Sequence, residues 1–101
     1  MKKKIKIAKI KVFNIKGHWY SGFEADGADY VYIRSNSNGY YEFAKPEQIV
    51  GLDNLGRTKT SVCRINFHKY DFANVHELYK VVHYDRAILI RSCGADIDVR
   101  F

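Results

Sequence analysis

The sequence predicts a mostly β, α+β domain, with a small curled antiparallel sheet and one short helix at about 75–83. Apolar and polar residues alternate in five segments, a period typical of half-buried strands. One further stretch instead repeats its apolar residues at helical spacing. Apolar residues form 47% of the 101 positions and aromatic residues 15%, so we expect one ordered domain over 1–101 with a substantial core.

The first predicted strand, residues 4–16, carries the basic excess of the chain. Seven of the first sixteen residues are lysines, and the remainder holds ten basic and eleven acidic residues, within a net charge of +6. The alternation slips near Ala8 and Lys9, where a β-bulge would restore one apolar face. That inward face comprises Ile5, Ile7, Ile10 and Val12. The outward face is a lysine ridge comprising Lys4, Lys6, Lys9 and Lys11.

The middle of the chain predicts a loop followed by a hairpin. Residues 17–29 contain three glycines and three acids, so we expect an excursion between strands. Residues 29–35 alternate as a strand, and residues 40–45 return as its partner after an Asn-Gly turn. Pro46 ends that strand and opens a short helical turn, and residues 51–56 are expected to form a loop. The tyrosine face of this hairpin comprises Tyr30, Tyr32, Arg34 and Tyr40.

The last third of the chain contains the helix. Residues 61–68 predict a strand with Cys63 among its inward side chains. Asn74 and Glu77 have the spacing of a capping box, in which each side chain satisfies a free backbone N–H at a helix start. The apolar stripe that follows comprises Val75, Leu78, Tyr79 and Val82. Residues 86–93 and 96–101 predict a closing hairpin.

The order of elements from Lys4 to Leu52 loosely resembles an SH3-like barrel. A curled first strand, a wide loop, a tight hairpin and a short turn after Pro46 are arranged in that style. The resemblance concerns the pattern of elements alone, so it implies a small β-barrel and assigns no functional residue.

The lysine ridge has two interpretations. Alternate strand residues repeat at about 6.6 Å, a spacing that matches an extended single strand of nucleic acid, and neutralised phosphates release counterions. Lysines also protect sheet edges from pairing with other chains. The sequence leaves both interpretations open.

The tyrosine face has three interpretations. Tyrosines on a sheet beside basic residues stack nucleic-acid bases, and they also anchor protein interfaces. In the third interpretation the predicted helix covers this face, and the tyrosines form a second small core.

The sequence contains no motif for a metal, a cofactor or catalysis. The four histidines lack metal-ligand spacing, and the two cysteines lie thirty positions apart, which suits free thiols in a reducing compartment. No phosphate-binding loop or nucleophile motif is present. No apolar run is long enough for a membrane span or a signal peptide, so we expect a cytoplasmic protein.

These observations lead to two main hypotheses. The first is a non-enzymatic module that binds single-stranded DNA or RNA through the lysine ridge and the tyrosine face. The second is a protein-binding inhibitor or adaptor, such as a phage protein that blocks a host enzyme or defence nuclease, with its basic strand against an acidic or RNA-binding surface of that target. A small basic nuclease is a third possibility, for which no residue spacing argues.

Overall fold

The structure, a computed structural model, describes residues 4–83 and residues 98–100. Its strands are β1 (Lys9–Ile15), β2 (His18–Ala25), β3 (Ala28–Ser35), β4 (Tyr40–Ala44), β5 (Ile49–Leu52), β6 (Thr58–Thr60), β7 (Ile65–His68) and β8 (Asp98–Arg100). The helix α1 is Val75–His83, and two single 3₁₀ turns are Pro46–Gln48 and Lys69–Asp71. The fold is therefore mostly β with one short helix, as the sequence predicts.

The main sheet has the strand order β7-β4-β3-β2-β1-β8. Its pairings are antiparallel except for β8, which runs parallel to β1. Strands β5 and β6 form a separate antiparallel hairpin. Within the described strands β7 and β8 lie at opposite edges of the sheet, so the sheet is curled but open and the expected barrel is not closed. In the described part of the chain, no helix has the length and apolar character needed to cross a membrane.

The predicted loop at residues 17–29 is wrong, because most of it forms β2. The turn before β2 has positive φ at Lys16 and Gly17, and the turn after it has positive φ at Asp26 and Gly27. Two consecutive positive φ angles are typical of the tight turns that join antiparallel strands. The Asp-Gly pair was a hairpin signal, but the high glycine and acid content favoured the loop interpretation.

Near Ala8, where the sequence predicts a β-bulge, the N-terminal segment changes its pairing partner. The backbone of Ile5 pairs in parallel with Phe72, through hydrogen bonds to the Asp71 carbonyl and from the Ala73 N–H. The Asn74 side chain continues this pairing, because it accepts the N–H of Ile7 and donates to its carbonyl, both at 3.0 Å. Its side-chain amide is thus engaged with the N-terminal segment, while its backbone carbonyl accepts the N–H groups of Glu77 and Leu78 at the start of α1.

Both faces of the main sheet are buried. The helix-side cluster contains Ile7, Ile10, Val12, Phe23, Ala25, Phe43, Phe72, Leu78 and Val81. The hairpin-side cluster contains Phe13, Ile15, Val31, Ala44 and Ile49. Helix α1 covers the first face and the β5–β6 hairpin supplies Ile49 to the second. The inward face predicted for the first strand is confirmed, although from Val12 onward β1 is buried on both sides.

Two sequence predictions around the covering elements need correction. Residues of the expected loop at 51–56 contribute to β5, and β6 was not predicted. Cys63 precedes β7 and is exposed rather than inward. The closing hairpin at 86–101 falls mainly outside the described residues, although 98–100 do form a strand.

Helix α1 is seated by its most buried side chains, Leu78 and Val81. Ser21 of β2 donates a buried hydrogen bond of 2.9 Å to the carbonyl of Val81, which ties the last turn of the helix to the sheet. Tyr79, placed in the apolar stripe by its spacing, is exposed, whereas Val82 packs at the margin of the helix-side cluster. The buried stripe of the helix therefore includes Val81, which was not predicted, in place of Tyr79.

Leu78→Ala should lower the free energy of unfolding by about 2–5 kcal/mol, since it leaves a cavity where a fully buried side chain was. Val75→Ala, at a half-buried position of the same helix, should cost less. Urea denaturation monitored by circular dichroism measures both changes. Equal midpoints for Leu78→Ala and the wild type would contradict the position of the helix.

Gly22→Ala should destabilise the protein severely. A Cβ on Gly22 would collide with the carbonyl oxygen of Tyr30 and lie 2.7 Å from the Cε2 atom of Phe13. Because backbone and a fully buried ring are involved, neither neighbour yields easily. Gly17→Ala is the comparison, because its positive φ strains an alanine but no atom lies within 4 Å of the added Cβ. Thermal melts should show a much larger loss for Gly22→Ala, and the opposite ranking would contradict this packing.

Candidate functional site

The lysine ridge is only partly preserved as an exposed basic surface. Lys4, Lys6 and Lys9 are exposed. Lys11 is not, because its side chain retains only 15% of its accessible surface and its Nζ atom lies 2.7 Å from Asp29 and 2.9 Å from Glu24. The predicted ridge of four outward lysines therefore loses Lys11 to an internal ion-pair cluster.

The reason is the position of Lys11 in β1. It shares a strand face with Phe13 and Ile15, so it stands at the margin of the hairpin-side cluster. Burial alone would lower the pKa of its ammonium group, but the hydrogen bonds and charges of Asp29 and Glu24 outweigh this and raise the pKa. The hydrogen bond from Lys11 lowers the pKa of the Glu24 carboxyl. This lysine acts in the fold rather than at a binding surface.

The first two tyrosines of the tyrosine face belong to the core. Tyr30 packs against Phe23 and Phe67 with ring centroids at 5.3 and 5.8 Å, and Tyr32 lies 5.7 Å from Phe43. Both are partly buried against the helix-side cluster. Of the three interpretations of this face, the structure agrees with the one in which the helix side of the sheet encloses these rings.

Arg34 does not share a face with Tyr30 and Tyr32. The pairing of β3 with β4 shifts between Tyr32 and Arg34, which makes Ile33 the extra residue of a bulge. An extra residue reverses the in-out alternation. Arg34 consequently lies beside Ile33 on the hairpin side of the sheet, and the predicted row of two tyrosines and an arginine is wrong.

Tyr40 and Tyr70, both exposed, form an aromatic row with the half-buried His68 between them. Tyr40 and His68 are direct cross-strand partners, with ring centroids at 5.2 Å, and the His68 ring lies 4.8 Å from Tyr70. The Tyr70 side chain is 70% exposed, and the Lys69 Nζ atom lies 5.0 Å from its ring centroid. Sequence reasoning missed His68 and Tyr70, because the pairing of β7 with β4 brings His68 opposite Tyr40 and the 3₁₀ turn at Lys69–Asp71 then places Tyr70 against His68.

The N-terminal lysines lie next to the turn that carries the aromatic row. The Ile5 N–H donates to the Asp71 carbonyl at 2.7 Å, so Lys4 and Lys6 flank the segment directly after Tyr70. Ile5 and Ile7 pack towards the core, and the alternation places Lys4 and Lys6 outward, where both are exposed. Exposed aromatic rings and lysines thus occupy adjacent parts of the surface.

A second polar feature is the arginine cleft, which has a volume of about 420 Å³ between the main sheet and the β5–β6 hairpin. Its lining comprises Ile33, Arg34, Asp53, Gly56, Arg57, Thr58 and Arg64.

Two carboxylates hold the arginines of the cleft. The Glu42 carboxylate receives Arg34 Nε at 2.9 Å and Arg64 Nη1 at 3.4 Å. Arg64 also donates to the Thr58 carbonyl, while Arg57 Nε pairs with Asp53 at 2.9 Å.

Among the described residues, no group of three or more histidine, cysteine or acidic side chains is arranged to hold a metal ion. Cys93 lies outside those residues. In comparisons with known proteins, no family model matches the chain, and no curated protein or solved structure is significantly similar to it.

Asp53→Asn should reduce the acid sensitivity of the fold. The backbone N–H of Arg57, together with Leu55 and the Arg57 side chain, lowers the pKa of the Asp53 carboxyl. A carboxyl whose folded pKa lies below its unfolded value stabilises the fold above about pH 4, and this contribution is lost as the pH falls through the lowered pKa. The cost of Asp53→Asn, measured as a urea midpoint, should therefore be largest near neutrality and shrink towards about pH 2.

The charge-matched control is Asp26→Asn, an exposed residue of the β2–β3 turn whose positive φ asparagine also tolerates. If Asp53→Asn lowered the urea midpoint equally near neutrality and at low pH, the carboxylate charge would be unimportant to the turn.

Proposed function

We propose that this protein is a non-enzymatic module that binds single-stranded nucleic acid. The observation that supports the proposal most directly is the aromatic row, Tyr40, His68 and Tyr70, with the Lys69 ammonium group over its outermost ring. Sequence-tolerant binding of single strands combines aromatic rings that stack bases with cations that follow the backbone. The row differs from the tyrosine face expected from the sequence, and only Tyr40 is common to both.

The exposure of the row argues for an intermolecular role. Large aromatic side chains stabilise a fold when they are buried, as Phe23 and Phe43 are here. Tyr70 contributes little in that way, since 70% of its surface remains accessible to solvent. Its ring and that of Tyr40 are instead held through contacts with His68, so they are available and partly ordered before any ligand arrives.

The charges beside the row suit a phosphate backbone. Lys69 follows the strand that carries His68, and Lys4 and Lys6 lie on the segment bonded to the residues after Tyr70. A strand stacked on the row would pass within reach of flexible lysine side chains. Because lysine acts as a point charge, these contacts would strengthen binding without selecting a sequence.

The test separates stacking from charge with two classes of variant. Tyr70→Ala should weaken binding of a single-stranded oligonucleotide by about 1–3 kcal/mol and leave the salt dependence nearly unchanged. Lys4→Gln with Lys6→Gln should flatten the slope of log affinity against log salt by about 1.4, since each single-strand phosphate contact contributes about 0.7. Fluorescence anisotropy at several salt concentrations measures both quantities.

Matched controls are available in the same chain. Tyr79→Ala removes another exposed tyrosine, carried by α1 and outside the aromatic row. Lys16→Gln with Lys59→Gln removes two exposed lysines from other turns and strands. Both controls should bind like the wild type. An absence of oligonucleotide binding at low salt, or equal losses in variants and controls, would refute the proposal.

A protein-binding inhibitor or adaptor is the second candidate, because the β5–β6 region exposes apolar side chains. Leu55 is 75% exposed, and Val50, Leu52 and Val62 are also exposed. Adjacent exposed apolar side chains are typical of protein contact sites. A stoichiometric protein complex that Leu55→Asp disrupts and Tyr70→Ala leaves intact would favour this candidate over nucleic acid.

A further inference from the structure

The geometry of the arginine cleft points to a second binding site, specific for a phosphate group. This inference goes beyond the proposed function, because it concerns a ligand that needs no base and residues outside the aromatic row. It starts from an imbalance of charge: three guanidinium groups, of Arg34, Arg57 and Arg64, face the two carboxylates of Glu42 and Asp53. Among the described residues of these ion pairs, the arginines therefore exceed the carboxylates by one.

Joining the two sheets requires only one of the three arginines. Arg64 bonds to Glu42 in β4 and to the Thr58 carbonyl in β6, so of these three arginines it is the one that connects the main sheet with the β5–β6 hairpin. Arg34 pairs with Glu42 across the β3–β4 hairpin, and Arg57 pairs with Asp53 within the β5–β6 turn. These two arginines do not add a connection between the sheets, although both line the cleft.

Arg34 and Arg57 are both oriented and accessible. Each engages its carboxylate through Nε at 2.9 Å, and their side chains are 61% and 65% exposed. In the described residues no further hydrogen bond occupies their terminal Nη groups. A guanidinium fixed at Nε presents planar Nη donors to a second acceptor, and paired donors of this kind match the oxygens of phosphate.

The carboxylates make this arrangement rigid before a ligand binds. Asp53 accepts the backbone N–H groups of Leu55 and Arg57, both at 2.9 Å, so the turn that carries Arg57 is closed by its own hydrogen bonds. Glu42 is buried and held between two arginines. Ordering the donors in advance removes part of the entropic cost of binding.

The size and surroundings of the cleft also suit a small phosphate compound. Its volume of about 420 Å³ lies within the range of about 300–1,000 Å³ found for small-molecule sites. Ile33 provides an apolar wall beside the arginines. Tyr40 of the aromatic row lies on the same strand face as Glu42, the partner of Arg34, about 7 Å along β4.

The experiment uses the full chain and two probes, inorganic pyrophosphate and adenosine monophosphate, at constant ionic strength. Two-dimensional NMR follows the Nε–Hε signals of the arginines, and calorimetry measures affinity. We expect saturable shifts of the Arg34 and Arg57 signals with at least one probe. Arg34→Gln and Arg57→Gln should each weaken binding by about tenfold or more, as loss of a charge-assisted contact implies. Arg57→Lys keeps the positive charge but loses the planar pair of donors, so its affinity should lie between those of Arg57→Gln and the wild type.

Lys59→Gln is the matched control, because it removes the same charge from β6 at an exposed position outside the cleft lining. It should bind the probes like the wild type. Tighter binding of pyrophosphate would indicate that the phosphate group recognised by the cleft belongs to an inorganic phosphate compound. Tighter binding of adenosine monophosphate would indicate that it belongs to a nucleotide. Both results support the site.

Shifts that do not saturate, or an equal loss in Lys59→Gln, would overturn the site. Tyr70→Ala should bind pyrophosphate normally, so a failure of oligonucleotide binding and a failure of this site are separate results.

Discussion

The fold depends on the burial of both faces of one curled antiparallel sheet. Adjacent residues of β1 point into different clusters: Val12 faces the helix side and Phe13 the hairpin side, and both are fully buried. A shift of one residue in such a strand would exchange every side chain between two differently shaped cores. The register is therefore strongly specified, and α1 and the β5–β6 hairpin each have a fixed face to cover.

Close packing of this sheet leaves little room between strands. Gly22 lies opposite Lys11 on one side and Val31 on the other, and the ring of Phe13 occupies the space that a side chain on Gly22 would need. The aromatic rings on the helix side meet edge to face, as Phe23 and Phe43 do at 5.1 Å. Such contacts depend on precise backbone positions, so the strands and the aromatic core stabilise one another.

Two local irregularities of the sheet decide where the N-terminal lysines and Arg34 lie. The change of partner after Ala8 turns the N-terminal lysines away from β2 and towards the turn that carries Tyr70. The bulge at Ile33 moves Arg34 from the helix side to the hairpin side, where Glu42 holds it. Glu42, which holds two arginines of the cleft, and Tyr40 of the aromatic row are alternate residues of β4.

Net charge is a poor guide to the exposed charge of this protein. The lysines of the N-terminal segment account for the basic excess of the sequence, but Lys11 is neutralised by Asp29 and Glu24. The arginines are fewer, yet two of them are exposed, oriented by carboxylates and gathered at one cleft. Composition counts charges without their counterions, whereas a ligand meets only the charge that pairing inside the fold leaves over.

The sequence by itself determined the elements whose signals are local. Alternation over residues 29–35, the Asn38-Gly39 turn and the apolar spacing from Val75 predicted β3, its hairpin and α1 with nearly correct bounds. The exposed positions of Lys4 and Lys6 and the inward positions of Ile7, Ile10 and Val12 also followed from alternation.

Tertiary structure decided everything that depends on partners distant in sequence. The Asn74 side chain became a partner of Ile7, and Tyr30 and Tyr32 became partly buried because α1 covers the helix side of the sheet. His68 and Tyr70 joined Tyr40 only when β7 paired with β4. The physical reason is that backbone propensity acts over a few neighbouring residues, whereas burial and pairing are properties of surfaces assembled from the whole chain.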